Sequence, residues 1–166
     1  MFSFSRLQEE QKPWVAHNFP NRSTSDPLIG MFEEYAELLV AETGEEIEDA
    51  IGDITIFLTD FCNMNSFSID QILYMNKRED ISWMDSGQAQ NGIAFSIGKI
   101  SHHFLKRKQN IRGDFKTHTD QLEIRISQLI GFLRHFSRLC GFDYEQAVSK
   151  TWQEVSKRNW RKPKEN

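Results

Sequence analysis

The stretch FEEYAELLVAETGEEIEDAIGD, residues 32–53, holds nine carboxylates in 22 positions and no lysine or arginine. Carboxylates grouped this closely either take up protons or hold a hard divalent cation through oxygen ligands. The absence of basic side chains runs from Ser23 to Asn76, a segment that contains 12 of the chain's 24 acids. A solvated helix face ordinarily mixes both signs, because i,i+4 pairs of opposite charge stabilise by about 0.2–0.5 kcal/mol each and like pairs cost a similar amount. No such pair can form here. Two amphipathic helices with solvated acidic outer faces would carry the same residues, but the lack of any cation along both arms favours a metal.

The elements that must position these acids are helices. Ser25 or Asp26 can cap a helix whose first turn contains Pro27, giving a first helix over about 27–42. Gly44 suits a left-handed terminal residue, and Glu45 and Glu46 suit the positive start of a second helix over about 45–63. So short a link forces an antiparallel hairpin. At about 100° per residue, Glu33, Glu34 and Glu37 share one arc of the first helix, away from Met31, Tyr35 and Leu38. On the second, Asp49 and Asp53 share a stripe away from Ile47, Ile51, Ile54, Leu58 and Phe61. If the stripes face each other, Glu34, Glu37, Asp49 and Asp53 converge. An all-oxygen set of this kind suits Mg²⁺, which retains waters and commonly bridges carboxylates to substrate phosphates.

The rest of the chain is consistent with a helical frame. Four prolines and nine glycines in 166 residues, with apolar residues recurring every three and four positions, read as all-α. A hydrophobic content of 39% can build the core of one domain. No apolar run approaches the ~20 residues needed to cross a bilayer, and no N-terminal run reads as a secretion signal, so a cytoplasmic protein without membrane contact is expected. Cys62 and Cys140 lack metal-type spacing and read as buried free thiols. His102, His103, His118 and His135 form no zinc set, and there is no phosphate-binding GxxxxGK[ST] loop. Residues 99–164 carry 15 of the 20 basic side chains and only six acids. Basic density can mean nucleic acid, yet the acidic half would repel a long polyanion. The expected partner is a small anion held between the halves.

The second half reads as a worn copy of the first. NSFSIDQIL, 65–73, matches CGFDYEQAV, 140–148, at an offset of 75, and GMFEEYAEL, 30–38, lines up with GIAFSIGKI, 92–100, at an offset of 62. The halves span about 27–76 and 88–161. These offsets set Ser96 opposite Glu34, Lys99 opposite Glu37, Ile124 opposite Asp49 and Gln128 opposite Asp53, so the copy has lost its carboxylates. Its two helices are joined by the basic connection LKRKQNIRGDFK, 105–116.

FEEYAELL followed by EIEDAIGDITIFL resembles the MazG-type all-α nucleoside triphosphate pyrophosphohydrolases, whose signature is EExxE on one helix and ExxD on the next. Glu33, Glu34 and Glu37 complete the first element. The second departs, because position 50, three before Asp53, is alanine, and the nearest acid on that face is Asp49. Trp14 with Asn18 and Phe19, LKRKQNIRG, and TWQEVSKRNW at 151–160 are similar to MazG-like proteins as well, so the likeness covers most of residues 13–161. It implies a helical bundle in which Mg²⁺, for which Mn²⁺ can stand in, binds a nucleotide's phosphates while water cleaves between the α and β phosphates. The products are a nucleoside monophosphate and pyrophosphate, and the substrate a deoxynucleotide or noncanonical triphosphate in a housecleaning role. Related families assemble the bundle from two chains; here the worn repeat can supply the second helix pair within one chain, and further oligomerisation is left open.

On this resemblance Glu34, Glu37, Asp53 and Asp49 are metal ligands, and Glu33 is a further ligand or the base that orients the attacking water. Lys106 and Arg112, then Lys157 and Arg158, are phosphate candidates. Trp14 stacks on the base and Asn18 reads its edge, although a Trp ahead of a bundle is as readily core. Trp152 and Trp160 read as packing on one helical face. The alternative is a catalytically inactive nucleotide-binding or regulatory module of the same fold, favoured by the missing glutamate and the worn second half.

Overall fold

The computed structural model describes residues 2–76 and 80–161. Among them are seven helices and no strand: α1 (Phe4–Asn18), α2 (Asp26–Val40), α3 (Gly44–Met64), α4 (Ile69–Met75), α5 (Ser86–Gln109), α6 (Phe115–Cys140) and α7 (Tyr144–Val155). No described helix is long and apolar enough to cross a membrane. The starts are written in cap residues. The side chains of Ser3, Thr43, Ser68, Asp85, Asp114 and Asp143 each accept a hydrogen bond from the backbone N–H three residues on. At α3 the cap is reciprocal, since Glu46 reaches back to the backbone N–H of Thr43. Gly44 is therefore the first residue of α3 and not a left-handed end to α2, because the Thr43-x-x-Glu46 box outcompetes a glycine C-cap. Pro13 also fails to break the lead-in: α1 runs straight through it with Pro13 on the exposed side.

The core is one connected cluster built from the inward stripes of every helix. Ile51, Ile54, Leu58 and Phe61 of α3 meet Ile93, Ile97 and Ile100 of α5 and Leu122, Ile126, Leu129 and Leu133 of α6, all fully buried. Each such side chain stabilises by roughly 1.5–3 kcal/mol relative to exposure.

The hairpins α2–α3 and α5–α6 are built alike, in step with the sequence offsets. Gly30 of α2 lies against the ring of Phe57 on α3, and Gly92 of α5 lies against Phe132 on α6; a Cβ on either glycine would stand 2.6 Å from a carbon of its ring. The second helix of each hairpin ends in a left-handed residue, Ser66 (φ 60°) or Gly141 (φ 88°). A backbone bond then closes each end, Phe67 N–H to Cys62 O at 2.9 Å and Phe142 N–H to Ser137 O at 3.1 Å. A short helix follows each, α4 in one case and α7 in the other. Arg22 pairs with buried Asp60 in the first half, and at the matching place His135 bonds Met84 O at 2.9 Å.

Two expectations are corrected. Cys62 is buried but Cys140, at the exposed end of α6, is not; both are free thiols. Trp160 shares no helical face with Trp152, because α7 ends at Val155 and Trp160 sits in the turn beyond it, 54% exposed.

The α3–α7 contact gives a direct test of packing. Gly52 faces Thr151 so closely that a Cβ would stand 2.8 Å from the Thr151 Cβ. Alanine favours a helix over glycine by about 1 kcal/mol, but overpacking a closed contact costs about 1–3 kcal/mol. Gly52→Ala is expected to lower the unfolding midpoint in urea; a raised midpoint would show that α7 moves away at no cost.

Candidate functional site

The turn at Thr43 folds α2 back along α3 and brings the acidic stripes of the two helices together. Glu34 is half-buried, and its carboxyl is pushed up to about 8, first by burial and then by the negative charges of Asp53, Glu37, Glu33 and Asp49. Asp53 is pushed up to about 6 by burial and by Asp49 and Glu37, with Arg158 pulling the other way. All five acids singled out by spacing therefore act on one cleft. Among the described residues none of the five has a hydrogen-bond or ion-pair partner. Ala50 is buried in the core, so the position three before Asp53 points inward, and Asp49, exposed on the cleft side, supplies the charge in its place.

Neighbouring acids are occupied differently. Glu46 accepts from its own helix cap and from the Glu42 N–H. Asp60, held by Arg22, is still raised by its burial. Asp70 accepts from the Ser5 backbone at 3.0 Å. Glu48 pairs with Lys150 of α7 at 3.0 Å, and the Lys150 ammonium is raised in turn by Glu48, with further contributions from Glu45 and Asp49. Lys150 was not among the expected site residues; the apolar face of α7 that docks on α3 dictates its position, which requires knowing which helices pack.

The C-terminal segment after α7 is pinned beside the cleft. Trp14 Nε1 donates to Arg158 O at 3.1 Å and its ring packs edge-on against Trp152 and Phe19. Asn18 is buried, donating to Trp14 O at 3.0 Å and accepting from the Trp160 N–H at 2.8 Å. Both ends of the Asn18 amide are thus spent on holding the chain, which corrects its assignment as a base-reading group. Trp14 is a clamp in the same way. Together they place Arg158, whose charge reaches Asp53. Lys157 pairs with Glu154 at 2.8 Å on the exposed side.

Lys106 and Arg112 do not face this cleft. α5 starts beside the middle of α2, where Tyr35 Oη donates to Gln90 O at 3.3 Å. It ends beside the end of α3, where Arg107 bonds the Asn65 side chain. Asn65 lies twelve residues beyond Asp53, about 18 Å along a helix at ~1.5 Å per residue. The charges that move Glu34 and Asp53 include neither cation. A single composite site with the basic connection as its phosphate wall is therefore corrected: the long axis of α5 carries that connection to the other end of the bundle, and the cations at the cleft are Arg158 and Lys150.

The donor chemistry of the cleft fits a hard divalent cation, since every unpartnered group is a carboxylate and Glu34 is driven toward its protonated form by the others. No three His, Cys, Asp or Glu side chains among the described residues are already drawn into one ligating group. No protein-family model, curated protein or solved structure matches the chain.

Proposed function

We propose that the chain is a Mg²⁺-dependent nucleoside triphosphate pyrophosphohydrolase of MazG type, releasing pyrophosphate and a nucleoside monophosphate. The observation that carries this reading is the set of five acids on α2 and α3 that share one cleft and have no protein partner, in a chain that neutralises most of their neighbours. The cation would be held by Glu34, Glu37, Asp49 and Asp53, and when bound it supplies charge neutralisation at the phosphates and acidifies an attacking water. Glu33, on the exposed flank of the same helix, is placed to accept that water's proton. Arg158 offers a guanidinium fork to phosphate oxygens and Lys150 a point charge at the same side. Trp14 and Asn18 act through the segment they pin.

Turnover of a panel of common and modified nucleoside triphosphates with Mg²⁺ or Mn²⁺, followed by phosphorus NMR, tests the reading. Paired monophosphate and pyrophosphate signals that require metal are expected. Release of orthophosphate, or no turnover of any substrate by folded protein, overturns it; metal-dependent binding without turnover supports instead the inactive nucleotide-binding module that the alanine at position 50 suggests.

A further inference from the structure

The basic residues that do not serve the acidic cleft form a site of their own on α5–α6. Phe95, Ser96 and Lys99 occupy the places that Glu33, Glu34 and Glu37 hold on α2. The Lys99 ammonium lies 5.5 Å from the centroid of the Phe95 ring, and the Arg125 guanidinium of α6 lies 5.7 Å from the same centroid. His102, one turn after Lys99, is held below the ordinary histidine range by loss of solvent and then by the positive charges of Lys99, Lys106 and Arg112. His103 is lowered likewise, with Arg125 and Lys99 among the causes. Among the described residues Lys99, Lys106, Arg112 and Arg125 have no carboxylate ion pair. Where the first hairpin gathers uncompensated acids, the second gathers uncompensated cations.

Two further groups lack partners. Ser96, at the place of Glu34, is fully buried, and its hydroxyl has no hydrogen bond. Arg125 spends one nitrogen on Gln128 Oε1 at 2.8 Å, while its Nε is buried without an acceptor. Leaving buried donors unmade costs about 1–3 kcal/mol each, so both point to an acceptor that is not part of the chain. Lys99 and Lys106 are seven residues apart, about 10 Å along the helix, farther than one phosphate reaches.

We propose that this face of α5–α6 is a metal-independent site for an oligophosphate chain of two or more linked phosphates, with the exposed Phe95 ring beside it for a base if the chain belongs to a nucleotide. The site is separate from the acidic cleft and does not depend on hydrolysis there. Mg²⁺ acts oppositely at the two places: the cleft needs it, whereas here it competes with the cations for the same phosphate oxygens.

Isothermal titration of the full chain with inorganic tripolyphosphate, and separately with a nucleoside triphosphate, in EDTA at low salt tests the proposal. Binding is expected in both arms, weakening with added salt and with Mg²⁺, and tighter for the nucleotide if Phe95 takes the base. Lys99→Gln/Arg125→Gln should weaken it by about tenfold or more. The exposed pair Lys106→Gln/Arg112→Gln should weaken it in the same direction without touching the helix interface, which guards against misfolding of the first variant. Absence of binding at millimolar tripolyphosphate, strengthening by Mg²⁺, or affinity unchanged in folded double variants overturns the proposal. So does a 20-nucleotide single-stranded DNA binding more than about tenfold tighter than tripolyphosphate, which would make the face a nucleic-acid surface.

Discussion

Glu37→Gln and Asp53→Asn are each expected to leave the metal-free fold as stable as the parent or more so, while Mg²⁺ affinity and turnover fall by about 10²-fold or more. Loss of a group that merely orients a metal ligand costs 10–100-fold, and these side chains are placed as ligands. The stability half follows from the charges. Glu37 raises the carboxyls of both Glu34 and Asp53, so removing its charge relieves repulsion that no cation offsets. Neither side chain makes a hydrogen bond that its amide would lose. Thermal unfolding in EDTA beside Mg²⁺ titration of each variant checks both halves. A variant that unfolds, or that binds Mg²⁺ like the parent, would show the acids to be structural or merely solvated.

Stability of the metal-free protein should fall as pH rises from 6 to about 8.5, and Glu34→Gln should flatten that fall. A carboxyl raised to about 8 in the fold, against an ordinary value of 4.5, binds its proton more tightly folded than unfolded. Its contribution to stability is complete below the unfolded value and is lost as pH climbs through 8. One proton gives a slope no steeper than about 1.4 kcal/mol per pH unit. Asp53, raised to about 6, adds to the fall only at the lower edge of the window. Mg²⁺ should also flatten the profile by stabilising the ionised cluster. Urea unfolding at four pH values in EDTA and in Mg²⁺ measures this, and stability rising through the window in EDTA would contradict the cleft's electrostatics.

Much of the acidic hairpin was legible because it rests on local rules. The bounds expected for α3, 45–63, differ by one residue at each end from those observed, and the stripes of α2 and α3 meet as their periodicity requires. The Thr43 box was also present in the residues but was passed over for the neighbouring glycine. What periodicity could not supply was the packing of remote elements. That Lys150 and Arg158 lie at the cleft depends on α7 docking along α3, through contacts such as Thr55 Oγ1 to Tyr144 Oη at 3.0 Å. The misplacement of Lys106 and Arg112 has the converse cause. A count of charge says that the second half is basic, but α5 is 24 residues long, about 36 Å, and only the fold tells which end meets the acids.

The central claim is that the partnerless acids of α2 and α3 exist to hold a divalent cation, and proton release on metal binding tests it most directly. Near pH 7 Glu34 is largely protonated in the free protein, so a cation entering the cleft must displace that proton. Calorimetric titration of the metal-free chain with Mg²⁺ at pH 7, repeated in buffers of different ionisation enthalpy, counts protons released per ion bound. The expected result is saturable binding with release approaching one proton, lost in Asp53→Asn. Absence of saturable binding, or binding with no proton release that persists in Asp53→Asn, would contradict it.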